Sequence, residues 1–210
     1  MSSVLLVHGG LWGEMDARRF WVLPGVVAGL RELGWTVLAP DRLVRAESWA
    51  ADADHLAGAL PDGPVTVIAG SNGCSAAVRL ALSRPESVRG LLLAWPATGG
   101  DPAVDARTRD ALRAGEAAVS TVDTLLAGET LRGVSDVELR RLRPPIGVLP
   151  SVPENPYHQH RTAEALVRLA PGAVSLPGGP EPPQPDFATH RPAFLATVDR
   201  FLRDADTASP

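Results

Sequence analysis

Six short runs of apolar residues recur along the chain, and longer segments with helical periodicity separate them. Each run is nearly continuous in apolar residues, which is typical of strands buried on both faces of a parallel sheet. Parallel strands need crossover connections, and helices usually supply them. The sequence therefore predicts an α/β fold, a parallel sheet of about six strands with helices on both faces. The predicted strands are Val4–Val7, Thr36–Ala39, Val65–Ala69, Val88–Ala94, Ile146–Leu149 and Ala173–Leu176.

The segments between these runs begin and end at residues that start or stop helices. Pro24 is suited to a first helical turn, and Gly34 follows the last apolar residue of that segment. Ser48 is suited to cap the next helix. The five helices predicted between and after the strands are Pro24–Leu33, Ser48–Leu60, Gly73–Ser83, Arg161–Leu169 and a last helix from Arg191 or Pro192 to Leu202.

Residues 96–144 interrupt the alternation with three short helical patterns, at 104–114, 120–126 and 135–142. The third begins with the capping-box spacing of Ser135 and Glu138. We interpret 96–144 as a small helical cap inserted into a single domain that spans residues 1–210. Such an insertion is placed to cover the edge of the sheet where an active site would lie.

Composition excludes several classes of function. The chain has 20 basic residues, all arginine, and a net charge of -4. This excludes Schiff-base and phosphate-loop lysines and disfavours nucleic acid or anionic membrane as a partner. A single cysteine, Cys74, favours a reducing compartment. With neither a signal-peptide pattern nor an apolar stretch of about 20 residues, we predict a cytoplasmic protein acting on a small molecule, of undetermined oligomeric state.

The segment "AGSNG" places Ser71 directly after a predicted strand and before a predicted helix. This is the context of a nucleophile elbow, a strained turn that needs small residues two positions away on either side. Ala69 and Gly73 meet that need. The alternative is that Ser71 only caps the helix. Cys74 lies on the helix just past the turn, where a buried, unreactive thiol is expected.

Taken together, "VHGG", "GWTVLAPDR", "AGSNG", "LLLAWPA" and "RPAFLATVDRFL" resemble the α/β-hydrolase superfamily in their order along nearly the whole chain. The resemblance implies a serine nucleophile followed in the chain by an acid and then a histidine. It also implies an oxyanion hole made by the amide of Asn72 and that of Gly10 or Leu11. The superfamily also contains lyases, isomerases and inactive members, so the fold alone does not define the reaction.

The acid and the base depart from the pattern of the superfamily. Where the acid is expected, the chain reads "LPSVPENPYHQH", and we predict Glu154 as the acid, with Asn155 as an alternative. Where the histidine is expected stands Asp186, and the nearby His190 is the predicted base. His158 is the alternative base.

A metal site on the H-x-H pair, His158 and His160, is disfavoured because no clear third ligand accompanies it. Trp12 and Trp95 are predicted to line an apolar pocket over the serine, whereas Trp21 is predicted to pack in the core.

These residues favour a serine hydrolase without a cofactor, which cleaves an ester, thioester or lactone of a small apolar substrate. Two alternatives stay open. One is a lyase, isomerase or cyclase on the same scaffold with Asp186 as acid or base. The other is a binding protein that has lost catalysis.

Overall fold

The computed structural model describes residues 2–207, and its centre is a six-stranded, fully parallel sheet in the order β2-β1-β3-β4-β5-β6. All six strands lie where the apolar runs predict them, with ends that differ by at most one residue. They are β1 Ser3–Val7, β2 Thr36–Leu38, β3 Val65–Gly70, β4 Val88–Ala94, β5 Ile146–Leu149 and β6 Ala173–Ser175. The predicted α/β class with a parallel sheet is confirmed.

Helices cover both faces of the sheet. The helices are α1 Val26–Glu32, α2 Trp49–Ala57, α3 Gly73–Ser83, α4 Pro102–Ala114, α5 Val119–Leu126, α6 Asp136–Leu139, α7 His160–Leu169 and α8 Phe187–Thr207. One core cluster packs α1 and α8 against the sheet, and a second packs α2, α3 and α7 against the opposite face. The side chain of Ser48 accepts the amide of Ala51, so the predicted cap of α2 is present.

The last helix is longer than predicted. It begins at Phe187 rather than at Arg191 or Pro192, which places Pro192 inside the helix. Phe187 is 1% exposed and packs edge-on against Trp95 and Phe194. Burial of this ring stabilises a helical first turn from Phe187, although Pro192 cannot donate a backbone hydrogen bond within the helix.

A short π-helix, Arg18–Val22, lies between β1 and α1, where the sequence predicts no helix. It buries Phe20 and Trp21 against the sheet, and this confirms the prediction that Trp21 belongs to the core. The two rings pack edge to face, with centroids 4.6 Å apart. Packing of this aromatic pair explains an ordered turn in a segment whose local sequence favours none.

The insertion at 96–144 forms α4, α5 and α6, and the predicted capping box of Ser135 and Glu138 is present. Its apolar side chains, among them Leu125 and Leu139, join the core cluster of α2 and α3. The indole of Trp49 on α2 donates to the carbonyl of Leu125 at 2.8 Å. The insertion is thus packed onto one face of the main domain.

The order of the strands creates a crevice between the ends of β1 and β3. After β1 the chain moves outward to β2, and then it crosses back over β1 to β3. Connections leave β1 and β3 in opposite directions at this switch point, and ligands of open α/β sheets bind there. The segments His8–Leu11 and Ser71–Asn72 follow these two strands and therefore meet at the crevice.

Candidate active site

Ser71 lies on a sharp turn between β3 and α3. Its φ is +53°, a left-handed conformation that non-glycine residues rarely adopt, and its side chain is almost fully buried. The small neighbours that the sequence predicts are packed as required. A Cβ on Gly73 would lie 2.4 Å from the carbonyl oxygen of His8, so α3 begins directly against the loop after β1. This is the geometry of a nucleophile elbow.

A substitution tests how tightly the elbow is packed. We expect Gly73→Ala to lower the free energy of unfolding by about 2 to 3 kcal/mol, because the added methyl meets backbone oxygens of Val7 and His8 that cannot rotate away. Gly63→Ala is the control, since a Cβ there meets no other part of residues 2–207 within 4 Å. Urea unfolding of both variants measures the difference. Equal stability of the two would show that the elbow accommodates a side chain at position 73.

His158 is the histidine that the fold brings to Ser71. Its Nε2 lies 2.9 Å from Ser71 Oγ, and the ring is 8% exposed. His158 follows β5, in a turn where its amide donates to the carbonyl of Asn155. Since β5 lies two strands from β3 in the sheet, the ring reaches over the end of β4 to meet the serine.

Glu181 lies on the other side of the His158 ring. Its Oε1 is 2.6 Å from Nδ1 of His158, and both side chains are largely buried. Asn155 Nδ2 also lies near Nδ1, at 3.2 Å, while Asn155 Oδ1 accepts the amide of Tyr157. The closer carboxylate favours the tautomer with its proton on Nδ1. The lone pair of Nε2 then faces Ser71 Oγ.

The structure corrects the predicted positions of the base and the acid. His190 is exposed on α8 and lines a cavity of about 50 Å³ beside Trp95 and Phe194, not the space at Ser71. Glu154 is half exposed and accepts the amide of His160 at 2.9 Å, so it orients neither His158 nor His190. His190 lies within α8, rather than before it, because the helix begins at Phe187.

The remaining alternatives are placed as follows. Asp186 is exposed just before α8, and within residues 2–207 its carboxylate forms no ion pair with another side chain. Asn155 supports the turn that holds His158. The two histidines of the H-x-H pair have different partners. His158 contacts Ser71 and Glu181, whereas His160 contacts Glu154 and the carbonyl of Ser151. In the described part of the chain, no group of three His, Cys, Asp or Glu side chains is arranged to hold a metal ion.

The loop after β1 carries two of the three predicted oxyanion donors, Gly10 and Leu11. Gly10 has φ +85°, and a Cβ on Gly9 would lie 2.9 Å from Ser71 Cβ, so this loop lies directly against the serine. The third predicted donor, the amide of Asn72, has no hydrogen-bond partner among residues 2–207. Free amides beside a buried serine can bind an oxyanion.

The two tryptophans do not form the pocket predicted over Ser71. Trp95 is fully buried below the end of β4, stacked on Phe194 with centroids 5.2 Å apart, and its indole donates to the carbonyl of Gly179 at 2.7 Å. It therefore anchors the loop that carries Glu181. Trp12 is half-buried beside the loop after β1 and donates to the carbonyl of Ala46.

Arg132 connects the inserted helices to the elbow. It is 2% exposed and donates to Asn72 Oδ1 at 3.0 Å and to Thr108 Oγ1 at 2.9 Å. Its nearest carboxylate oxygen, on Asp105, is 3.4 Å away. Burial lowers the pKa of Arg132 from its usual range, and the charge of Asp105 opposes that shift. The insertion thus places a buried positive charge next to the residue that follows Ser71.

Cys74, one turn beyond Ser71, is fully buried, and burial raises the pKa of its thiol far above the usual range. The thiol is therefore protonated at neutral pH and unsuited to act as a nucleophile. This agrees with its predicted role as a small apolar residue of the core. None of the helices in residues 2–207 combines the length and apolar character needed to cross a bilayer.

The architecture matches solved enzymes over nearly its whole length. The meta-cleavage product hydrolase CumD of Pseudomonas fluorescens IP01 is 18% identical at a TM-score of 0.71, with 98% of this chain and 92% of that chain covered. The α/β hydrolase MGS-MChE2, from a lagoon-sediment metagenome, is 19% identical at a TM-score of 0.72, with the same coverage. The chain has the α/β-hydrolase fold.

The proline iminopeptidase of Mycobacterium smegmatis, another structural neighbour, is 15% identical at a TM-score of 0.67, with 100% of this chain and 91% of that chain covered. No family model and no curated protein sequence matches the chain. On this α/β-hydrolase fold, the loop after β5 carries His158 and the loop after β6 carries Glu181. The side chains that meet at Ser71 therefore follow the order serine, histidine, carboxylate along the chain, whereas the resemblance implies serine, acid, histidine.

Glu181 is the site residue that the sequence analysis missed. It lies in the segment "PGGPEPPQPD", whose prolines favour a stiff, extended loop and do not by themselves indicate a catalytic carboxylate. The sequence does contain one signal that points to Glu181. Glu181 and Asp186 are the two acids between β6 and α8, and Glu181 is the nearer to the end of the strand. Residues at that end of a parallel sheet face the site.

Proposed function

We propose that this protein is a cofactor-independent serine hydrolase that cleaves an ester, thioester or lactone with a small apolar acyl group. Ser71 is the nucleophile, His158 is the general base and Glu181 is the acid that orients the base. The observation that carries the proposal is a series of contacts in a largely buried site. Ser71 Oγ is 2.9 Å from Nε2 of His158, and Nδ1 of His158 is 2.6 Å from Oε1 of Glu181. A nucleophile, a base and an orienting group at these distances can activate a hydroxyl.

In the first half-reaction, Ser71 Oγ attacks the carbonyl carbon of the substrate while Nε2 of His158 takes the hydroxyl proton. The resulting imidazolium is stabilised by the carboxylate of Glu181 beside Nδ1. Negative charge on the carbonyl oxygen is accepted by the amide of Asn72 and by that of Gly10 or Leu11. His158 then returns the proton to the leaving alcohol or thiol, and Ser71 holds the acyl group.

In the second half-reaction, water replaces the alcohol. His158 takes a proton from the water, whose oxygen attacks the acyl carbon, and it then protonates Ser71 Oγ as the carboxylic acid leaves. The same oxyanion donors act again. The proton that Ser71 loses leaves with the alcohol or thiol and is replaced by a proton from water, so the enzyme ends the cycle in its starting protonation state.

The burial of the nucleophile supports a small acyl group. Ser71 itself is 7% exposed. A long acyl chain would need the surrounding loops to move apart, whereas a short one needs little space. A proton-transfer enzyme built on Asp186 is not supported, because Asp186 is exposed outside this site.

A fluorophosphonate tests the proposal directly, since it reacts with activated serines. We expect intact-mass analysis to show one adduct, and peptide mapping to place it on Ser71. Ser71→Ala should abolish the adduct. Ser75→Ala is the matched control, because Ser75 is also buried, one turn further along α3, and should leave labelling unchanged. A folded sample that forms no adduct, or forms one elsewhere, would contradict the proposal.

A further inference from the structure

A buried arginine donates hydrogen bonds to the loop that carries two of the proposed oxyanion donors. Nη1 of Arg42 donates to three successive carbonyl groups, those of His8 at 3.1 Å, Gly9 at 3.3 Å and Gly10 at 2.9 Å. The sequence places Arg42 only in the exit loop of β2. None of the catalytic steps described above uses it.

These three bonds orient the peptide groups of the loop. In a trans peptide the N–H of one residue points away from the C=O of the residue before it. With the carbonyls of Gly9 and Gly10 turned toward Arg42, the N–H groups of Gly10 and Leu11 are turned away from it. Gly9 lies against Ser71, since a Cβ on Gly9 would come within 2.9 Å of Ser71 Cβ. The donors are thus held free for a ligand at the serine.

Asp52 of α2 completes the arrangement. Its Oδ2 is 2.7 Å from Nε and 2.6 Å from Nη2 of Arg42, and its Oδ1 accepts the amide of Leu43 at 3.1 Å. The side chains of Arg42 and Asp52 are 3% and 0% exposed. A fork of two bonds to one carboxylate fixes the guanidinium plane, and Nη1 remains for the loop.

His8 adds a second link between the same segments. The amide of Arg42 donates to its Nε2 at 2.9 Å, and its Nδ1 lies 2.7 Å from the carbonyl of Gly9. Burial lowers the pKa of His8, and the charge of Arg42 lowers it further. A neutral ring with its proton on Nδ1 satisfies both contacts.

We infer that Arg42, fixed by Asp52, is a positioning residue that holds the Gly10 and Leu11 amides in the orientation needed to bind the oxyanion. It acts through the backbone of residues 8–10 and touches no reacting atom. The inference rests on the proposed function, because an oxyanion forms only if Ser71 attacks a carbonyl. It predicts that loss of Arg42 lowers the stabilisation of the transition state and leaves substrate binding nearly unchanged.

The test compares two double variants. Arg42→Met/Asp52→Leu removes the buried pair without leaving a lone charge. Arg79→Met/Glu138→Leu is the control, because Arg79 likewise pairs with a carboxylate and donates to a backbone carbonyl, that of Gly133, at 2.7 Å. Hydrolysis of p-nitrophenyl acetate gives kcat and KM, fluorophosphonate labelling reports on Ser71, and urea unfolding reports on the fold.

We expect kcat to fall about 100-fold in Arg42→Met/Asp52→Leu with KM within about twofold, the size of effect seen when an oxyanion donor is lost. The control should keep both constants. If the double variant does not fold, the kcat of Arg42→Lys tests the inference instead. A single ammonium cannot hold Asp52 and three carbonyls at once, so kcat should fall about tenfold at constant KM.

Three results would overturn the inference. The first is a folded Arg42 variant with the kcat of the wild type, while the wild type is still labelled at Ser71; the proposed function then stands without it. The second is an equal loss of kcat in the Arg79 control, which would indicate a general loss of stability. The third is a wild type that is neither labelled nor active, which removes the proposed function and this inference together.

Discussion

Replacing His158 by alanine is expected to slow the labelling of Ser71 by a fluorophosphonate on the order of 10³- to 10⁴-fold. Nε2 of His158 is 2.9 Å from Ser71 Oγ and is placed to take its proton. Without that acceptor the serine must react as the neutral hydroxyl, a weak nucleophile. The rate is measured from the growth of the adduct in intact-mass spectra over time.

His190→Ala is the matched control for this prediction. His190 is exposed on α8, and the motif pattern of the sequence favours it as the base. The structure predicts labelling of His190→Ala at the rate of the wild type. The opposite ranking, with His158→Ala active and His190→Ala inactive, would show that the loop after β5 is wrongly assigned and that α8 supplies the base.

Glu181→Gln should produce the second large effect, a fall in kcat for p-nitrophenyl acetate on the order of 10³-fold, with KM little changed. The change keeps the size of the side chain but removes its charge. An amide in this position no longer stabilises the imidazolium, and its NH₂ group can direct the Nδ1 lone pair toward itself. The proton then moves to Nε2, where it blocks uptake of the serine proton.

Glu154→Gln is the control for the acid. Glu154 is the acid that the sequence analysis predicts, yet its carboxylate contacts His160 and is half exposed. We expect Glu154→Gln to keep kcat within about twofold of the wild type. A large loss in Glu154→Gln together with full activity in Glu181→Gln would contradict the assignment of Glu181.

The strands β5 and β6 lie side by side in the sheet. A histidine on the loop after one strand can therefore contact a carboxylate on the loop after the other, whichever loop carries which group. Here Ser151 pairs with Gly179, and the indole of Trp95 donates to the same glycine, so the loop with Glu181 is fastened to the loop with His158. These two contacts hold the loop with Glu181 beside the loop with His158.

The fold could be predicted largely from local sequence. Continuous apolar runs identified all six strands, and β4 and β5 match their predicted ends to the residue. The physical reason is that strands buried on both faces, as β1, β3, β4 and β5 are, are apolar at nearly every position. Ser71 was found in the same way, since a strand, a small-residue turn and a helix are consecutive in the chain.

The start of α8 and the two partners of Ser71 could not be predicted in this way. Phe187 begins the helix because its ring fits between Trp95 and Phe194, residues 92 and 7 positions away in the sequence. The motif pattern of the chain favours His190 and leaves His158 as an alternative. No local pattern distinguishes Glu181 from the rest of its proline-rich loop.

The sequence by itself determined the parallel α/β architecture, the elbow at Ser71 and the inserted helices at 96–144. These features depend on periodicity and on neighbours within a few residues, which a chain displays directly. Only the tertiary structure decided that His158 faces Ser71, that Glu181 lies behind His158, and that Arg42 grips the loop after β1. Those contacts join residues 23 to 87 positions apart, and the packing of strand ends at one edge of the sheet determines which of the available side chains meet.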